Sequence, residues 1–134
     1  MFCQLFSLFL LFGSFVNTLE VKIQGIEEPQ GMIRIAVYDS DEVHLDEEQI
    51  SFFHEEPVNA TGEMTIRIQL PEGSYSVAVF HDVNGDKALN KNMIGMPKEP
   101  YGFSNNAMGT FGPPSFEQAR IRVPDAERIT IKLR

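Results

Sequence analysis

Residues 81–92 read His-Asp-Val-Asn-Gly-Asp-Lys-Ala-Leu-Asn-Lys-Asn. Asp82, Asn84 and Asp86 set short oxygen-bearing side chains at every second position. A calcium loop uses that spacing, because the chain wraps the ion and turns alternate residues toward it. Aligned this way, Asp82, Asn84 and Asp86 fill the first three ligand positions. The carbonyl of Ala88 and the side chain of Asn90 fill the next two, and Leu89 is the apolar anchor. Two positions depart from the pattern. Lys87 stands where glycine makes the sharp bend, with Gly85 two residues too early. Met93 stands where a bidentate glutamate closes the shell. A second reading is a self-bonded turn, since Asp and Asn side chains also bond the backbone two residues on. That reading needs no ion.

His81 and Asp82 are adjacent and could form an acid–base pair. The strand phase puts His81 on the face of Val79, half buried beside the loop. No nucleophile elbow, serine triad, phosphate-binding loop or dinucleotide fingerprint accompanies it. His44 and His54 lie in an acidic stretch with no ligand spacing to His81. A small hydrolase using His81 and Asp82 is therefore the alternative, and a non-catalytic role is the main expectation. Residues 101–119 are the most individual part of the chain. Tyr101, Phe103, Phe111 and Phe116 interleave there with Ser104, Asn105 and Asn106. Rings beside amides suit sugar or peptide recognition. Tyr101, Phe103, Asn105 and Asn106 are the candidate contacts to a small ligand, a glycan or an envelope protein. The alternative is that the rings plug the end of the domain while the asparagines cap turns.

Strands must position these residues. Period-two alternation runs through Leu19–Ile26, Met32–Asp39, Glu63–Leu70, Ser74–Asp82, Ala119–Pro124 and Arg128–Arg134. Gly25, Pro29–Gly31, Pro71–Gly73 and Pro124–Ala126 punctuate them as turns. Their polar alternate faces predict sheets with one wet side. Asp46–Phe53 has the composition of a short helix. In the acidic stretch, Ile50, Phe52 and Phe53 should tuck inward. The pattern is that of an all-β, antiparallel β-sandwich of about seven strands. Residues 82–117 lack a convincing strand, far beyond the usual connection of about 4–6 residues. Their Met, Ile and aromatic anchors, Phe111 among them, predict one long ordered loop across an end of the sandwich. A module pairing through a sheet edge is a third reading, with Leu19–Ile26 or the last strand as the uncovered edge.

The chain has 134 residues and a net charge of −8, so it repels phosphate backbones and nucleic acid is no expected partner. With one cysteine it has neither a disulfide framework nor a cysteine zinc site. Leu5–Phe12 is almost wholly apolar, too short for a comfortable span, and placed as a secretory signal is placed. We read residues 1–18 as a signal peptide and 19–134 as a single domain. The expected location is periplasmic or extracellular, with membrane contact only through an uncleaved leader.

The segments Gly31–Ser40, Leu70–Asp86, Gly95–Pro97 and above all Tyr101–Ala119 resemble DUF2141, a family of uncharacterised bacterial exported proteins. The resemblance covers Leu19 to Leu133. It implies an exported sandwich of immunoglobulin-like or transthyretin-like type and supplies no established activity. In the family's loop pattern a glycine stands at Lys87 and an aspartate at Asn90. Both departures weaken calcium binding by this member.

Overall fold

The computed structural model describes residues 15–87 and 98–134. Two sheets pack face to face. The first contains β1 (Val16–Ile26), β4 (Gly62–Pro71) and β8 (Arg128–Lys132), in the order β4-β1-β8. The second contains β2 (Met32–Tyr38), β3 (Phe52–Pro57), β5 (Gly73–Asp82) and β6 (Tyr101–Phe103), in the order β3-β2-β5-β6. A further short strand, β7 (Ile121–Val123), pairs with the start of β5. Every ladder is antiparallel except β1–β8, which is parallel.

Alternation dictates the core. Leu19, Val21 and Ile23 of β1 lie beside Ile66, Ile68 and Leu70 of β4 and Ile131 of β8. Ile33, Ile35 and Val37 of β2 and Tyr75, Val77 and Val79 of β5 complete the core. These mostly β-branched side chains fit a pleated surface and remove their apolar area from water. The buried part of β1 begins at Leu19, although its pairing begins earlier, with Val16 opposite Pro71. The strand thus crosses the boundary expected after Thr18, and residues 1–14 lie outside the described residues.

One side of the sandwich is stitched. The Tyr101 amide donates to Arg134 O at 3.2 Å, and the Arg134 amide donates to Tyr101 O at 3.0 Å. The neighbouring Leu133 amide donates to Gln24 O of β1 at 2.9 Å. Gly102 permits this approach, since a Cβ there would stand 2.6 Å from Ile131 Cγ2. On the opposite side β3 and β4 remain edges. A cleft of about 200 Å³ lies between them, lined by Ile35, Val37, Phe52, Phe53, Ile68 and Leu70 among others.

The structure corrects several expectations. Leu19–Ile26 is the centre of its sheet, not an edge, while the last strand ends its sheet, met only near its end by Asn106 at Lys132 and by Tyr101 at Arg134. Residues 46–51 make turns instead of a helix. The Asp46 carboxylate accepts from the Glu48 amide at 2.9 Å and from the Gln49 side chain, so the aspartate closes a turn. Phe52 then opens β3, whose two phenylalanines are exposed. The long segment contains β6, a 3-10 turn at Ser104–Asn106 and a four-residue helix, α1 (Phe116–Ala119). Ser115 and Gln118 form a reciprocal capping box that starts α1. Phe116 is buried, but Phe111, expected as an anchor, is fully exposed. The outer face of β2 and β5 is not wholly wet either: Arg34, Tyr38, Ser76 and Asp82 are buried on it.

His44 explains part of that cover. Its Nε2 lies 2.8 Å from Pro114 O, which can only accept, so Nε2 carries the proton and donates. Nδ1 then accepts from the Ser76 hydroxyl at 2.8 Å. The ring also stands edge-on to Tyr38 and Phe116. One imidazole thus fastens residues 39–50 to β5 and to the segment before α1.

Candidate functional site

The site lies where β5 ends. Successive strand residues face opposite ways, so His81 and Asp82 part company. His81 points inward with Val79 and is 1% exposed. Its Nε2 lies 2.6 Å from Gln30 O, another group that can only accept, so the ring donates there. Asp82 points to the outer face with Arg34 and is 0% exposed. No acid–base pair forms between the two. His81 instead forms part of a cleft of about 310 Å³ with Glu27, Glu28, Val83, Lys98, Glu99 and Pro100.

Asp82 is the hub. Its Oδ2 accepts from Arg34 Nε at 2.9 Å and from the Lys87 amide at 2.8 Å. Arg34 is itself buried, and its other arm donates to Glu55 on β3. Burial alone would lower the guanidinium pKa, but the Asp82 hydrogen bond and the charge of Glu55 outweigh it and the net shift is upward. The reading of β2 treated Arg34 as a wet-face residue. The only sequence signal for its role was a cation between two core residues, Ile33 and Ile35, on a strand that pairs with the strand of Asp82.

The turn after Asp82 is self-bonded. The Asp86 amide donates to Asn84 Oδ1 at 3.2 Å, and Asn84 Nδ2 donates to Asp86 Oδ2 at 3.2 Å. Gly85 and Lys87 have positive φ, at 72° and 66°. Gly31 has positive φ too, and its missing Cβ leaves room for this turn: an added one would meet Asp82 O at 2.1 Å.

Glu99 is the residue that spacing missed. It is 8% exposed, and its Oε2 accepts from the Val83 amide at 2.7 Å. It ties the returning chain to the end of β5, sixteen residues after the residue it holds. Asp82, Asp86 and Glu99 can each bring a carboxylate oxygen within 4.8 Å of the others. Like charges that close repel by on the order of 3 kcal/mol per pair at the effective dielectric near a protein surface. Of the five metal-ligand candidates, the structure brings Asp82, Asn84 and Asp86 together. Ala88 and Asn90 lie outside the described residues.

The ligand candidates are gathered at another place, on β6 and the 3-10 turn. Tyr101 and Phe103 stack edge-on at 5.9 Å. Asn105 Nδ2 donates to Gln118 O and Arg120 O at 3.2 and 2.9 Å. Asn106 Oδ1 accepts from the Lys132 amide at 2.9 Å. Both asparagines have positive φ, a conformation their side chains tolerate. The amides act here as turn caps that bind α1 and β8. Between them Ser104 is buried, accepting from the Val77 amide at 3.0 Å and donating to Ala119 O.

The model of an uncharacterised protein family conserved in bacteria, DUF2141, matches residues 21–132. The chain belongs to the DUF2141 family. No curated protein matches it, and no solved structure matches it. The DUF2141 match runs from within β1 to the end of β8, so the buried Asp82 end lies within it, while Leu133 and Arg134 of the stitch lie just beyond it. Within the match, Lys87 has the left-handed backbone that glycine accepts most readily.

Proposed function

We propose that the chain is an exported, non-catalytic β-sandwich module of the cell envelope that acts by binding at the end where β5 runs out. One observation supports binding over catalysis. The polar side chains that could do chemistry are bonded to backbone: His81 to Gln30, His44 to Pro114, Asn105 to Gln118 and Arg120, and Asn106 to Lys132. The β5 end also carries a cleft lined by charged groups, Glu27, Glu28, Lys98 and Glu99. Export rests on the apolar run Leu5–Phe12 and its placement as a secretory signal.

The test is expression of the full, untagged chain in a bacterial host, followed by fractionation and intact mass. A product in the periplasm or medium lacking the first fourteen to eighteen residues is expected. Full-length protein confined to the cytoplasm would end the export reading. The purified product should show no turnover of chromogenic ester, phosphate or glycoside substrates. Turnover that disappears in His81→Gln would replace the binding reading with an enzymatic one.

A further inference from the structure

We infer that Asp82, Asp86 and Glu99 form a divalent-cation site, selective for calcium, that fastens the segment after β5 back onto the second sheet. The acidic cluster does not carry this alone. Among the described residues two buried side-chain atoms lack a hydrogen-bond partner, and one is Asp82 Oδ1. Asp82 is completely buried, and its other oxygen is already bonded to Arg34 and to the Lys87 amide. A buried carboxylate oxygen without a partner loses its hydration and gains nothing in return. A cation between Asp82, Asp86 and Glu99 supplies the missing partner and removes their mutual repulsion.

Arg34 does not do this work. Its guanidinium is shared between Asp82 and Glu55. Donor chemistry selects the metal. All three groups are carboxylates, with no histidine or cysteine in the cluster, which favours hard cations over zinc or copper. Ligands drawn from a turn and from a residue sixteen positions beyond Val83 suit calcium's loose geometry better than magnesium's strict octahedron. Backbone carbonyls and water complete a calcium shell of 6–8 oxygens. Three carboxylates on a partly exposed turn match the weak class of extracellular calcium modules, with Kd of about 0.1–1 mM.

This assignment differs from a twelve-residue loop. Its third carboxylate comes from the return of the chain, so the ion closes a long loop instead of wrapping a short one. It concerns purified protein and stands or falls separately from export.

The experiment is a thermal melt and calorimetric titration of residues 15–134, stripped with EDTA and then given calcium or magnesium chloride. At a hundredfold excess over Kd, calcium should raise the melting temperature by about 5 °C or more. Magnesium should bind at least tenfold more weakly. Glu99→Gln and Asp86→Asn keep shape and remove charge. Each should weaken calcium at least tenfold. Asp82→Asn is the harsher variant, because it also strips Arg34 of a partner. No calcium effect on the wild type would overturn the site. So would an effect that survives in both Glu99→Gln and Asp86→Asn, which would assign calcium to the general acidic surface.

Discussion

Single residues reveal what the turn after β5 demands. Lys87 holds φ at 66°, where a Cβ costs roughly 1–2 kcal/mol. Its side chain is exposed and its amide bonds Asp82. Lys87→Gly should therefore raise stability by about 0.5–1 kcal/mol, after the extra entropy of the unfolded glycine is deducted. Urea unfolding measures this, and a loss of stability would show that the Lys87 side chain has a role of its own. Gly31 is the opposite case. Gly31→Ala adds left-handed strain of about 1–2 kcal/mol and a clash worth a further 1–3 kcal/mol. The clash falls on Asp82 and Val83, so amide resonances there should move most. The oxygen pattern of Asp82, Asn84 and Asp86 was legible because side-chain spacing within one turn is local. Glu99 was not, because its neighbourhood depends on how residues 88–98 bring the chain back.

Elements show a division between the two faces of the sandwich. Glu20 sits at the centre of the first sheet, opposite Arg67 on β4 and Arg128 on β8. Its two oxygens bond both guanidinium groups, at 2.9 and 2.7 Å, so one carboxylate clasps three strands. Chiefly through the Arg128 hydrogen bond, its pKa is lowered from the ordinary 4.5. A lowered carboxylate pKa adds stability above the ordinary value, and that addition is lost as pH falls through the folded value. Melting temperature should fall below about pH 4.5, and less steeply in Glu20→Gln than in wild type. Parallel acid limbs would mean the clasp is energetically silent, as many exposed pairs are. The second sheet handles its open edge differently. β3 turns His54 and Glu56 toward the interior side, 3.5 Å apart, and inward-pointing charge discourages another strand from docking there. The alternation of β1, β2, β4 and β5 made those strands legible. β3 was hidden because Phe-Phe-His-Glu-Glu-Pro has no clean period, and helix-forming glutamates precede it. α1 was hidden because four residues are too few to show one.

At the scale of the molecule, the sandwich is stitched on one side and open on the other. The stitch depends on the last two residues. Leu133 is core and bonds β1, while Arg134 bonds Tyr101. Removing Arg134 should cost about 1–3 kcal/mol for two backbone hydrogen bonds. Removing Leu133 as well should add about 2–5 kcal/mol for a lost core side chain. Hydrogen exchange locates the effect: the Tyr101 amide should lose protection in both truncations, the Leu70 amide only in the larger one. Equal protection at Tyr101 in wild type and truncation would mean the seam holds without Arg134. Two layers of strands were readable from the sequence, because burial imposes alternation along each strand. The strand order was not, since period two says which face is buried and nothing about neighbours.

The parallel pairing of β1 with β8 has a consequence in time. Glu20 and Arg128 are 108 positions apart, so the central strand of the first sheet receives its second neighbour only long after β1 itself has been made. A growing chain can form the β1–β4 ladder early, yet it leaves Val21 and Ile23 uncovered on one flank until β8 has been made. Contacts this distant in sequence make folding slow and leave the unfinished sheet open to wrong partners.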